Sequence, residues 1–394
     1  MSSIPIAPPT PCRDICALLV ALALGLGGLA PAAGAPVGLA EGLVNQEIPG
    51  SLGLPKIPAA HQTLYDSTDK EFHFSHHPNL VVYQDRLYAM WSSGLRSEDE
   101  NGQRILWTNS ADGGSWAAPS VLIADPDGDA GRLNAVAAGF HVQGRRLVAY
   151  YTATTVTSRH IWNKRPDEPD PCVYAIASDD TEHWSKPQKI VEGFFIDSPR
   201  RLPSGRLLMN GQYPSMAIRL IYTDSPDGLT GWKDAAVPPL PDVKPGFPEP
   251  NWFFRKDGTL VMLFRATNEQ PWLYASESTN QGSSWSAPVR TNIPSATSRM
   301  AVGNLPDGRA YCIWNPSQKF GRVPLVIALS DDGVTFNHAY VLRGEPAKQK
   351  FVGTAKADGW QYPSVAVWRG SLWVVYSVNK EDVSISRVKL SDLR

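Results

Sequence analysis

The stretch NWFFRKDGTLVMLF (residues 251–264) decides the fold, because it holds an apolar run, a turn and a second apolar run. Both runs are rich in the β-branched and aromatic residues that favour strands, and the Lys-Asp-Gly between them is typical of a hairpin turn. One hairpin does not define an architecture. The number and the spacing of further copies do.

The same hairpin pattern returns five more times, at intervals of roughly 50–60 residues, a period typical of β-propeller blades rather than of helical solenoids. The other copies are NLVVYQDRLYAMW (79–91), AAGFHVQGRRLVAYY (137–151), PRRLPSGRLLMNG (199–211), AVGNLPDGRAYCIW (301–314) and SVAVWRGSLWVVYS (364–377). The repeat therefore indicates six similar β-units in one chain.

A second short motif follows five of the hairpins. It has Ser, then Asp or Asn two residues on, usually Gly, and a closing aromatic. The copies are SADGGSW (110–116), SDDTEHW (178–184), SPDGLTGW (225–232), STNQGSSW (278–285) and SDDGVTF (330–336). The acidic or amide side chain can hold a tight turn by accepting backbone N–H bonds, and the aromatic can fill the space between strands. In two copies the motif departs from this plan, with Glu182 at the glycine position and Asn280 at the aspartate position.

Five such motifs in phase with six hairpins resemble the Asp boxes (BNR repeats) of sialidase-like β-propellers, over residues 72–392. The resemblance implies an all-β fold, a six-bladed β-propeller of four-stranded antiparallel blades. Seven blades is the alternative, if the segment before residue 72 supplies another. In the six-bladed form an N-terminal strand would complete the last blade and remove the free sheet edges.

Three parts are predicted along the chain. Residues 1–35 have the pattern of a signal peptide, because Arg13 precedes the apolar run 15–30 and small residues follow it. That run is too short and too rich in glycine for a membrane span. We therefore expect a secreted or periplasmic protein. Residues 36–71 form a Pro/Gly-rich lead-in that either holds the ring-closing strand or has no regular structure, and residues 72–394 form the propeller.

The composition indicates which classes of partner are expected. The 394 residues include 37 Lys or Arg and 38 Asp or Glu, a net charge of −1, so no general attraction to nucleic acid or to an anionic membrane is expected. Beyond the signal peptide the chain keeps Cys172 and Cys312, which form either one disulfide or two buried thiols. We expect a monomer whose partner is an oligosaccharide or polysaccharide.

Residues at the starts of the innermost strands should converge on the axis of a propeller. Four blades begin there with an X-Pro pair, and proline favours an extended residue before it. The pairs are His77-Pro78, Ser198-Pro199, Glu249-Pro250 and Tyr362-Pro363, and the other two blades offer Arg132, Asn134 and Arg299. Ionisable side chains of such different kinds at equivalent places favour a functional site over a structural channel.

The resemblance assigns roles to some of these residues. Tyr362 matches the sialidase nucleophile, Glu249 is its activating partner, and Arg265 and Arg299 supply two of the three arginines that bind the sialic carboxylate. The first of those arginines is missing, and His76-His77-Pro78 stands in its place.

The FSHHP sequence at this point resembles instead propeller enzymes that cleave L-rhamnose from α-1,4-linked glucuronate, by hydrolysis or by elimination. In those enzymes a histidine at this place is catalytic, so His77 or His76 would be the acid/base. Arginines would neutralise the uronate carboxylate. Arg132, Asn134 and Arg200 complete the predicted substrate-binding set.

Three functions follow as alternatives. The leading one is exo-cleavage of L-rhamnose from α-1,4-linked glucuronate; the others are an exo-α-sialidase and a glycan-binding propeller without catalysis. No cofactor is required, since the sequence holds no HExxH, P-loop, Cys-x-x-Cys or dinucleotide motif. The loop DPDGDAGRLNAV (125–136) fails as an EF-hand, because Ala130 and Val136 take the glycine and glutamate positions; looser calcium binding stays open. The insertion 157–171 is either a loop on the substrate side or a solvated excursion.

Overall fold

Six antiparallel sheets follow one another along the chain, and each is one blade of a β-propeller. The computed structural model describes residues 34–125, 133–155, 170–240, 246–265 and 271–394. Residues 1–33, which hold most of the predicted signal peptide, lie outside the described residues. So do Arg132, most of the loop 125–136 and most of the insertion 157–171. The all-β, six-bladed prediction is confirmed, and the helical structure within those ranges is one 3-10 turn, Leu390–Asp392.

Each blade runs from an innermost strand at the axis to an outermost strand at the rim. Blade 1 comprises Phe74–Tyr83, Arg86–Gly94, Arg104–Ser110 and Ser120–Ile123. Blade 2 comprises Leu133–Gln143, Arg146–Thr155, Cys172–Ser178 and Gln188–Glu192. In blade 3 the innermost strand is split in two, and the strands are Phe194–Phe195, Arg200–Arg201, Leu207–Gln212, Ile218–Thr223 and Lys233–Asp234.

The second half of the ring repeats the plan. Blade 4 comprises Asn251–Phe254, Leu260–Arg265, Trp272–Ser278 and Val289–Pro294. Blade 5 comprises Ala301–Asn304, Ala310–Trp314, Leu325–Ser330 and His338–Arg343. Blade 6 comprises Trp360–Trp368, Ser371–Val378, Asp382–Lys389 and, from the lead-in, Ala60–Tyr65.

The lead-in closes the ring. Its strand Ala60–Tyr65 pairs antiparallel with Asp382–Lys389, so blade 6 is built from residues near both ends of the described chain. Before that strand, Gly38–Leu39 pairs in parallel with Thr335–Phe336 at the rim of blade 5. The lead-in thus runs along blade 5 and completes blade 6, and it adds no blade of its own.

Apolar side chains fill the spaces between successive blades. Each of the six main clusters of buried residues joins one blade to the next, for example blades 1 and 2 or blades 5 and 6. The closing aromatics of the Asp boxes belong to these clusters, and Trp285 and Phe336 are buried. Cys172 and Cys312 are separate buried thiols in blades 2 and 5, and burial raises the pKa of Cys312 well above its ordinary value.

Side-chain hydrogen bonds hold the Asp-box turns. In blade 1 Asp112 Oδ1 accepts from the N–H groups of Gly114 (2.8 Å) and Ser115 (2.7 Å). The residue that follows the aspartate is left-handed, with φ 74° at Gly113 and φ 68° at Thr181 in blade 2. The prediction that Glu182 replaces the glycine is therefore wrong, because Thr181 occupies the position that needs the left-handed backbone.

Thr181→Gly should stabilise the protein. A β-branched residue in the left-handed region costs about 1–2 kcal/mol, and the substitution removes this strain. Glycine makes the unfolded chain more flexible, which cancels about 0.5–1 kcal/mol of that gain. We expect a higher free energy of unfolding in a denaturant titration, by about 0.5–1 kcal/mol. The opposite change, Gly113→Ala, should destabilise, because a Cβ there would lie 2.1 Å from the Trp373 ring. A Thr181→Gly protein no more stable than the parent would contradict the strain at this turn.

Candidate active site

A cluster of charged and aromatic side chains surrounds the axis where the innermost strands begin. Three of the X-Pro positions contribute to it, and all three are left-handed, with φ 52° at His77, 44° at Glu249 and 57° at Tyr362. The prediction of extended residues before proline is wrong at these places. The innermost strands of blades 1 and 6 are bulged here, and a bulge re-aims side chains. Such backbone costs about 1–3 kcal/mol per residue and is typical of functional sites.

Tyr362 lies at the centre of the cluster. Its hydroxyl donates to Glu249 Oε1 and accepts from Arg265 Nη2 at 3.0 Å. Arg265 Nε donates to Glu249 Oε2 at 2.7 Å, which closes a three-membered network of buried groups. Burial raises the pKa of Tyr362 well above its ordinary value, and the Arg265 guanidinium opposes that rise. The phenol is therefore protonated at neutral pH, with a carboxylate already in place to take its proton.

The two histidines lie beside Tyr362 and share one carboxylate, Glu98. The His76 ring packs on the Tyr362 ring with centroids 3.9 Å apart. The Nε2 atoms of His76 and His77 lie 3.6 and 3.8 Å from Glu98 Oε1, and Lys380 pairs with Glu98 Oε2. Burial, followed by the charge of Lys380, holds the pKa of both histidines well below the ordinary value. Both imidazoles are therefore neutral at neutral pH.

His76, His77 and Glu98 offer three ligand atoms within 4.8 Å of one another, a donor set that zinc accepts. However, the ammonium of Lys380 already pairs with the carboxylate of Glu98. The charges of Arg299 and, for His76, Arg322 also act on these imidazoles. A divalent cation would be repelled by this positive charge, so the cluster suits an anion better.

Four cations lie around Tyr362, and three of them come from different blades. Arg265 comes from blade 4; the Arg322 Cζ and Lys380 Nζ lie 5.5 and 5.8 Å from the centre of the Tyr362 ring. The carbonyl oxygen of Thr297 accepts from both Arg265 (2.5 Å) and Arg322 (3.3 Å). Thr297 and Arg322 also line a cavity of about 890 Å³ between blades 5 and 6, a volume in the range of small-molecule sites.

The structure brings five of the predicted site residues together: His76, His77, Glu249, Arg265 and Tyr362. Arg299 lies beside them, 5.6 Å from the Tyr362 ring and 1% exposed, and it pairs with Asp197 at 3.0 Å.

Arg200 and Asn134 lie outside this cluster. Arg200 donates to the backbone carbonyls of Val302 (2.7 Å) and Trp252, and Asn134 donates to the carbonyl of Glu100 at 3.0 Å. Both side chains thus bond to neighbouring backbone. Arg132 lies outside the described residues.

Sequence reasoning missed Glu98, Arg322 and Lys380. Each lies in the connection between the second and third strands of its blade, in blades 1, 5 and 6. Because these connections open on the same face as the starts of the innermost strands, a search of them for charged residues was the available signal. Their lengths differ from blade to blade, so no repeat marked them.

Comparison with known proteins assigns the chain to a protein family. Residues 85–375 match the model of the BNR repeat-like domain. No curated protein matches the sequence. This family match confirms the prediction of a sialidase-like propeller with BNR repeats.

Solved structures show the same fold. A protein described as a sialidase superposes with a TM-score of 0.64 at 18% identity, over 90% of this chain and 35% of its own. The intramolecular trans-sialidase from Ruminococcus gnavus, in complex with oseltamivir carboxylate, has a TM-score of 0.64 at 13% identity, over 84% and 97%. Trypanosoma rangeli sialidase has 0.62 at 14%, over 85% and 60%. The chain spans 35% of the length of the first of these. With nearly three quarters of its sequence inside the family model, the chain belongs to the BNR repeat-like domain family, within the sialidase-like β-propellers.

Proposed function

We propose that the protein is a glycoside-cleaving enzyme that acts on a glycan with a carboxylate-bearing sugar and uses Tyr362 as its nucleophile. One observation carries the proposal: the Tyr362 hydroxyl is bonded at once to Glu249 and to Arg265. A phenol between a carboxylate and a guanidinium is an activated nucleophile, because the carboxylate accepts its proton while the cation stabilises the phenolate character that develops.

The surrounding cations select the substrate. Arg265, Arg322 and Lys380 lie around Tyr362, and a sugar carboxylate bound next to Tyr362 would pair with them. A nucleophile that is neutral in the resting enzyme suits such a substrate, since an anionic nucleophile would be repelled by the carboxylate next to the reacting carbon.

The proposed reaction has two steps, and each proton transferred in the first step is returned in the second. In the first, the Tyr362 oxygen bonds to the anomeric carbon, Glu249 takes the phenol proton, and Glu98 passes to the departing oxygen a proton that the paired ammonium of Lys380 supplies. In the second, Glu98 takes a proton from water, which attacks the same carbon, and Glu249 returns the proton to the phenol. Glu98 is placed for this exchange by its contacts to His76, His77 and Lys380. Two displacements at one carbon retain its configuration.

Two specific glycans are candidates for the substrate. A sialic glycoside is favoured by the Tyr362–Glu249 pair and the three cations. L-Rhamnose α-1,4-linked to glucuronate is favoured by His77, a neutral imidazole 3.8 Å from a carboxylate and so free to act as a base. For either glycan we propose export as the localisation, and the chain as a monomer that needs no cofactor.

A pair of incubations separates these candidates. The purified protein is given a sialyl glycoside or a rhamnose-capped glucuronide such as gum arabic, with products read by mass spectrometry and by absorbance near 235 nm. Free sialic acid supports the first substrate. Free rhamnose supports the second, with absorbance marking elimination. If neither sugar is released, both candidate substrates are ruled out, the glycan-binding alternative is favoured, and a wider glycan screen is the next experiment.

On a rhamnosyl glucuronide, for which His77 is the proposed base, His77→Ala should lower turnover by about 10²–10⁴-fold, the range for a lost proton-transfer group, without unfolding the protein. The control is His61→Ala, since His61 lies on the outermost strand of blade 6 and contacts Ser386 there. Initial rates on the rhamnosyl glucuronide provide the measurement. Equal rates for His77→Ala and the parent would remove His77 from the chemistry and leave the proton transfers to Glu98 and Glu249.

A further inference from the structure

A second cavity lies on the propeller axis, farther along the innermost strands than the Tyr362 cluster. Its volume is about 280 Å³, and its lining includes Asn79, Asp197, Arg200, Asn251, Arg299 and Tyr311. In blades 1 and 6 the lining begins at Asn79 and Pro363, which come after His77 and Tyr362 in the bulged stretches of the innermost strands. This axial cavity is therefore separate from the cavity that Arg322 lines.

The axial cavity carries excess positive charge. Two guanidinium groups line it, those of Arg200 and Arg299, together with one carboxylate, that of Asp197. Asp197 pairs with Arg299 at 3.0 Å. The terminal nitrogens of Arg200 instead donate to the carbonyls of Val302 and Trp252, which carry no charge to balance it. Among the described residues, Arg200 thus has hydrogen bonds but no ion pair.

Both guanidiniums also keep a donor without an acceptor. The Nε atoms of Arg200 and Arg299 are buried and make no hydrogen bond within the described structure. A buried N–H without an acceptor is costly, and an enclosed charge without a counter-charge is more so. Burial also lowers the pKa of Arg200, which reflects the same cost.

We propose that the axial cavity binds a small monovalent anion on the Arg200 side, with the guanidinium of Arg200 as its main ligand and Arg299 as its second. The anion accepts hydrogen bonds from the Nε atoms of Arg200 and Arg299. It also balances the charge of Arg200, since Asp197 pairs with Arg299. A metal cation is disfavoured there, since it would lie between two guanidiniums. The chemistry fits a free halide or a carboxylate group equally, and the test separates them. This inference does not depend on glycoside cleavage.

Thermal unfolding at constant ionic strength tests the site. Replacing the bulky sulfonate MES by chloride, up to about 200 mM, should raise the Tm by about 2–4 °C, because the anion binds the folded state alone. Acetate takes the place of chloride in a parallel series. A larger rise with acetate assigns the site to a carboxylate, and a larger rise with chloride assigns it to a halide. No rise with either anion would overturn the proposal.

A matched pair of variants locates the effect. Arg200→Met should abolish the anion-dependent rise. Arg201→Met should keep it, because the neighbouring Arg201 is exposed and bonds to Gly205 and Pro226. Equal rises in both variants would place the anion elsewhere and overturn the assignment.

A crystal soaked in bromide gives an answer that does not need Arg200→Met to fold. An anomalous peak between Arg200 and Arg299 is the expected result for a halide. If the site prefers a carboxylate, adding acetate to the bromide soak should displace bromide and remove that peak. A bromide map without a peak in the axial cavity, together with no rise in Tm, would refute the site.

Discussion

Tyr362→Phe is expected to lower kcat by about 10³-fold or more, because it removes the oxygen that bonds to the anomeric carbon and leaves the rest of the site in place. The phenyl ring still packs on His76, and Glu249 still pairs with Arg265 at 2.7 Å. The cations that bind the carboxylate also remain, so KM should change by less than about threefold. Steady-state kinetics on the cleaved glycan provide the measurement.

Tyr376→Phe is the matched control in the same blade. Its hydroxyl bonds to Arg343 and Ser386, each at 2.7 Å, and takes no part in the cluster. It should therefore keep the parental kcat at some cost in stability. Mass spectrometry of a slow or fluorinated substrate should find the glycosyl group on the peptide that contains Tyr362. Near-parental turnover by Tyr362→Phe would end the nucleophile assignment and favour His77 as the base.

Arg265→Met should produce the largest loss of stability, about 3–5 kcal/mol, because it leaves the Glu249 carboxylate buried without its partner. The change also removes donors to the Tyr362 hydroxyl and to the carbonyl of Thr297. Denaturant titration followed by tryptophan fluorescence measures the free energy of unfolding. Activity should be lost as well, since one of the three cations for the carboxylate is gone.

Two further proteins test the reason for that loss. The double variant Arg265→Met with Glu249→Gln should recover part of the stability, because the buried charge that needed Arg265 is then neutral. Arg369→Met removes an arginine from an exposed pair with Asp85 at 2.5 Å and should cost less than about 1 kcal/mol. A loss from Arg265→Met no larger than that from Arg369→Met would contradict a buried, mutually dependent pair.

The sequence predicted the blades because their signals are local. Each hairpin and each Asp box is complete within a few residues, so the repeat could be recognised without knowing which strands are neighbours. His77, Glu249 and Tyr362 were found for a related reason, since each directly precedes a proline at an equivalent place in its blade. The turn at Thr181 was misassigned because the sequence showed a missing glycine, but the left-handed position could be located only from the backbone.

The rest of the site depends on contacts that no repeat encodes. Arg200 was selected by position, but its guanidinium is taken up by backbone carbonyls of two other blades. The extended backbone expected before proline was overridden at Tyr362, where the bulge and the bonds to Glu249 and Arg265 fix the residue. Lys380 gave no signal because its partner, Glu98, lies 282 residues away in sequence.

The position of the strand Ala60–Tyr65 in the sequence affects how the protein folds during its synthesis. It leaves the ribosome more than 300 residues before its partner, and the contact between His61 and Ser386 spans 325 positions. Blades 1 to 5 are each built from one continuous piece of the nascent chain, whereas the sixth must wait for the last of its strands. Contacts between such distant segments slow folding far more than they weaken the folded state. Until the two segments meet, both carry unpaired edges, and this is the interval in which the chain is most exposed to aggregation and most in need of a chaperone.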